Sequence, residues 1–133
     1  MKFRKGVFII FAGLIVLSGC SNNGENQPVL IVEKPAEIGE GFEQFKEIDD
    51  RQNVETAKEL VGNIRWANGN PTWIHHPDYL FYFKDNKEKY YIGITPNKEQ
   101  LELEVKEQDK FVKLTKTKSN ELYQILTGEK LSE

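Results

Sequence analysis

The chain has 133 residues, of which 18 are Lys or Arg and 21 are Asp or Glu, for a formal charge of −3 at neutral pH. That acidic balance argues against nucleic acid and against lying flat on an anionic bilayer, since both need a surplus of basic side chains. A single cysteine leaves no intramolecular disulfide, so the fold must rest on its apolar core.

Lys2, Arg4 and Lys5 form a basic head, an apolar run follows from Val7 to Leu17, and Ser18-Gly19 lead to Cys20. This order predicts a signal peptide over 1–19, with a run too short to be a permanent membrane span. Leu17-Ser18-Gly19-Cys20 resembles the lipid-attachment site of bacterial lipoproteins, an apolar residue and two small ones before the cysteine. The resemblance implies that the Cys20 thiol takes a diacylglyceryl group and that cleavage frees its amine. A further acyl chain (a palmitate, for instance) can join that amine. Two chains, at about 0.8 kcal/mol per buried CH₂, suffice as an anchor. The expected location is the outer face of the cytoplasmic membrane. Losing residues 1–19 removes three of the 18 basic residues and none of the 21 acidic ones, which leaves a formal charge of −6.

Ser21 to Gln27 has no apolar residue, Pro28 and Pro35 bracket a short apolar run, and Gly39 and Gly41 follow. Residues 20–41 therefore read as a flexible tether, about twenty residues with a mean reach of roughly 25 Å. Within it, Leu30-Ile31-Val32 could also dock as an edge strand. Residues 42–133 read as one globular domain, at the small end of what folds unaided.

Phe45 and Ile48 sit in a short strand. Asp49-Asp50 then offers an N-cap, and Val54, Ala57, Leu60, Val61 and Ile64 recur at helical spacing, with Gly62 suited to a left-handed close. Ile64 to Ala67 reads as a strand and Asn68-Gly69-Asn70-Pro71 as a turn. Tyr79 to Phe83 and Tyr90 to Ile94, joined through Asp85-Asn86-Lys87, form the clearest hairpin. Leu101, Leu103 and Val105 alternate with charged residues, which places Glu102 and Glu104 on a wet face. Phe111 to Leu114 is the expected partner across Gln108-Asp109. A last helix starts near Thr117 or Ser119, carries Leu122, Ile125 and Leu126 on one stripe, and stops at Gly128. The expected class is α+β, an antiparallel sheet of four to six strands with two short helices packed on one face.

Chemistry is sparse in this pattern. His75, His76 and Asp78 are the one cluster with metal-ligand character, but adjacent histidines of an extended segment point opposite ways and no further nitrogen or sulfur ligand follows. Ser21, Ser119 and Ser132 sit in the tether, a helix start and the C-terminus, outside any nucleophile elbow. No catalytic set, metal site or cofactor is expected. The aromatics carry more weight. Trp66, Trp73, Tyr79, Tyr82, Tyr90 and Tyr91 fall between residues 66 and 91. A sheet covered on both sides would account for them, and so would a contact surface built from Trp73, Tyr82 and Tyr91. Tyr82 and Tyr91, at equivalent positions of paired strands, would be cross-strand neighbours opposite the helices.

The lipobox, His76-Pro77-Asp78-Tyr79 before an aromatic strand, Tyr90 to Ile94, and Phe111 to Leu114 leading into Asn120 to Leu126 together resemble the YhfM-like lipoproteins of Gram-positive spore formers. That resemblance covers most of the domain and implies no functional residue beyond Cys20. The function expected is a lipid-anchored extracytoplasmic binding or interaction module, with an envelope protein, peptide or glycan as partner and no nucleic acid. The alternative is a cell-envelope enzyme such as a carboxylate-dependent glycan hydrolase.

Overall fold

The computed structural model describes residues 27–69, 71 and 75–132. The elements run β1 (Leu30–Pro35), β2 (Phe42–Ile48), α1 (Arg51–Gly62), β3 (Ala67–Asn68), β4 (Tyr79–Phe83), β5 (Tyr90–Ile94), β6 (Leu101–Val105), β7 (Lys110–Lys113) and α2 (Lys116–Thr127). All seven strands join one antiparallel sheet in the order β2-β1-β4-β5-β6-β7-β3. The class is α+β as the periodicities predict, with one strand more than the upper expected count.

The additional strand comes from the segment expected as tether. Leu30–Pro35 are part of the sheet: β1 lies between β2 and β4, pairing Leu30 with Ile48 on one side and Phe83 on the other, so Leu30-Ile31-Val32 docks as an internal strand and not an edge strand. Its prolines do no harm there, because Pro28 precedes the strand and Pro35 ends it, where no ladder N–H is lost from the middle. Leu30 and Val32 are fully buried, so the folded unit begins before residue 42.

Period two sorts the strands into two faces. Leu30 and Val32, Phe81 and Phe83, Tyr90 and Ile92, and Leu101, Leu103 and Val105 share the core with Val54, Ala57, Leu60 and Val61 of α1 and Leu122 and Leu126 of α2. Both helices therefore cover that one face. Burying each leucine stabilises the domain by about 1.5–3 kcal/mol.

The helix ends follow side-chain chemistry. Asp50 caps α1 by accepting from the Asn53 N–H at 3.1 Å. The helix closes on Asn63, whose N–H donates to Glu59 O, and not through a left-handed Gly62. Helix α2 starts at Lys116, earlier than expected, because Thr115 accepts from the Lys118 N–H at 3.2 Å. Gly128 closes α2 at φ +83°, a conformation that glycine adopts without strain. Ser119, expected near the helix start, is fully buried inside α2, where its Oγ accepts from Leu101 N–H at 2.9 Å and donates to Leu114 O. The strand expected over 64–67 shrinks to Ala67–Asn68, and Trp66 stacks on Tyr90 at 6.1 Å instead.

Candidate functional site

Cys20 and Trp73 lie outside the described residues. Tyr82 and Tyr91 are both half-buried on the sheet face that the helices leave open. They are diagonal neighbours and not a direct pair: Leu80 stands opposite Tyr91, and Ile31 opposite Tyr82.

The register lines up one row across this open face, Glu33, Leu80, Tyr91, Glu104, Phe111 and Ala67, with one residue from each of six strands. Leu80 is 3 % exposed and Ile31 4 %, so the aliphatic floor of the face is closed. Tyr91 rises from it. Phe42 meets the Tyr91 ring edge-on at 6.0 Å, and the Lys106 Nζ sits 4.3 Å from its centroid. Tyr82 has the Lys89 Nζ at 5.6 Å. These are cation–π contacts, in which the ring quadrupole attracts the ammonium.

Glu104 departs furthest from expectation. Alternation placed it on a wet face, yet it is only 7 % exposed, between Tyr91 and Phe111. Among the described residues it has no hydrogen-bond or ion-pair partner. Burial raises its carboxyl pKa above the ordinary glutamate value; the Lys106 charge opposes the rise and Asp109 adds to it. Burial also raises the Tyr91 hydroxyl, helped by the negative charges of Glu107, Glu104 and Glu33. Glu102, on the same side of β6, is engaged by Lys113 at 3.9 Å. Glu47 is held likewise by Lys84 at 3.7 Å.

The histidine cluster goes elsewhere. His75 and Asp78 border a cleft of about 380 Å³ with Thr95, Lys98, Tyr123 and Leu131, at the end of the sheet where β4 begins. Asp78 is a structural clasp: its carboxylate accepts from Ile94 N–H at 2.7 Å, and its own N–H donates to Ile92 O at 2.7 Å. The His75 Nδ1 lies 2.7 Å from His76 O, an acceptor, so that nitrogen carries the proton. Among the described residues no three His, Cys, Asp or Glu side chains converge as metal ligands. Nearby, the Tyr79 hydroxyl is pushed up to about 12, first by burial and then by the neighbouring Tyr123.

Sequence reasoning placed Glu104 on the wet side of its strand but missed its burial, and it missed Phe42 and Phe111 as members of the open face. Glu104 and Phe111 had a usable signal, since pairing Leu101–Val105 with the strand before Leu114 brings a glutamate beside an aromatic. Phe42 had none, because its strand pairs with a segment read as tether. Among the described residues no helix is long and apolar enough to cross a membrane. Comparison of the chain with family models, curated proteins and solved structures gives no match.

Proposed function

We propose that this chain is a lipid-anchored extracytoplasmic binding module, held by Cys20 at the outer face of the cytoplasmic membrane, whose contact surface is the open face of the sheet. The observation that carries the reading is the aromatic ridge of Tyr82, Tyr91, Phe42 and Phe111 on the face opposite α1 and α2, each half-buried. Tyrosine and phenylalanine in such a place offer a large apolar body at low entropic cost, and contiguous patches of this kind mark contact sites. The lipobox and its resemblance to YhfM-like lipoproteins support the location. Trp73, outside the described residues, joins the reading as a candidate contact, and the partner is an envelope protein, peptide or glycan.

Two measurements test the two halves. Cys20→Ser should move the protein from the membrane pellet to the soluble fraction while leaving its circular dichroism unchanged. A variant that still pellets refutes the lipid as the anchor. Crosslinking of the anchored protein in its own membranes should capture a partner with the wild type and lose it with Tyr82→Ala or Trp73→Ala. Equal capture by all three removes the open face as the contact surface. A hydrolytic activity toward wall glycan that survives both variants would favour the enzyme alternative.

A further inference from the structure

We propose that the open face recognises a basic segment of a protein or peptide partner, receiving a lysine or arginine side chain between the Glu104 carboxylate and the Tyr91 ring, where it competes with Lys106 for the ring. This rests on the reading of the open face as a contact surface and supplies its chemistry.

Four observations converge on it. Glu104 is more than nine-tenths buried on the face opposite α1 and α2, and among the described residues nothing donates to it. A carboxylate so placed is costly unless a donor or cation arrives, because its water is lost without replacement. Its direct neighbours across the sheet are Tyr91 on one side and Phe111 on the other, so an incoming cation meets a ring and an anion together. Lys106 shows that the ring accepts an ammonium, at 4.3 Å from the centroid, yet Lys106 makes no ion pair with Glu104. Of the other charges on this face, Lys89 and Lys106 lie over the Tyr82 and Tyr91 rings. Lys84 and Lys113 are matched with Glu47 and Glu102, whereas Glu33 and Glu104, at either side of the Leu80–Tyr91 pair, are in no salt bridge among the described residues. These two carboxylates, flanking the Leu80–Tyr91 pair, complement a positively charged chain laid across the strands.

The experiment uses the full chain in detergent micelles and a short peptide of alternating lysine and alanine, with its lysine-acetylated form as the neutral counterpart. The lysine peptide should bind and the acetylated one should not. Glu104→Gln should weaken binding by about tenfold or more, the size of one charge-assisted contact to a buried group. Lys106→Ala should tighten it, since the internal competitor is gone. Glu121→Gln, an exposed change on α2, should leave it unchanged, which separates the site from general acidity. Equal binding by wild type and Glu104→Gln, or none of the lysine peptide, overturns the proposal. Glu104→Gln is close to isosteric and removes a buried charge, so an unchanged circular dichroism spectrum excludes misfolding as the cause. Capture in membranes separates this proposal from the one beneath it. Loss with Tyr82→Ala but not with Glu104→Gln refutes the cationic ligand alone; loss with neither refutes both.

Discussion

The two faces of the sheet are made from the same strands and follow different rules. Beneath the helices, neighbouring positions such as Val32, Phe81 and Tyr90 are apolar or aromatic and buried. One residue away on each strand, the row from Glu33 to Ala67 mixes two carboxylates, two aliphatic side chains and two rings. A face that has only to exclude water is uniform, since each apolar atom buried adds to stability in the same way. The open face keeps a charge where an apolar side chain would be more favourable. That difference separates the part of the molecule that holds the fold from the part available for recognition.

The comparison is broken most directly at two consecutive residues. Phe81→Ala should cost about 3–5 kcal/mol, a large share of a small domain's stability, whereas Tyr82→Ala should cost about 1 kcal/mol or less. Urea melts of the two variants measure both, and equal midpoint shifts would erase the distinction between the faces. Ser119→Ala sharpens it from the helix side. Removing its Oγ leaves the buried Leu101 N–H without an acceptor, for an expected loss of about 1–3 kcal/mol. A loss near zero would show that water replaces the hydroxyl.

The smallest effect has the opposite sign. Folding raises the Glu104 pKa, so between the unfolded and folded values the native state holds a proton that the unfolded chain has released. Stability from this group therefore falls as pH rises through that window, and the full cost is present above the folded value. Glu104→Gln should be the more stable protein at neutral pH, and its advantage should vanish below the unfolded glutamate pKa of about 4.3. Paired urea melts at neutral and acidic pH check this; a variant less stable than wild type at neutral pH would mean that Glu104 is stabilised by a partner.

Local signals made the helical core legible. Tyr79 to Phe83 and Tyr90 to Ile94 pair as alternation demands, and the stripe Val54, Ala57, Leu60 and Val61 is the buried side of α1. What stayed hidden depends on distant parts of the chain. Leu30-Ile31-Val32 is too short and too closely flanked by proline to announce an internal strand, and only β2 and β4 on either side make it one. Glu104 reads as solvated because alternation reports which face a residue occupies and not what lies beside it. Gly62 carries the residue type of a left-handed cap, but Asn63 closes the helix at φ −100°. Of the candidate surface, Tyr82 and Tyr91 were visible from their spacing, and the carboxylate between Tyr91 and Phe111 was not.

The place of β1 has a consequence for the order of synthesis. Leu30 leaves the ribosome well before its partner Phe83, so β1 and β2 can pair early, but the other edge of β1 waits for more than forty residues before β4 arrives. Until then Ile31 and Val32 stand on an unpaired edge, the kind of edge that templates association between nascent chains. Pairings so distant in sequence also slow the closure of the sheet. Glu43, Lys46 and Glu47 lie on β2, the outermost strand, on the other side of β1 from that gap, where charged side chains discourage pairing with a second copy. The charged outer strand thus blunts one edge of the β1–β2 pair, and the other edge closes only when β4 arrives.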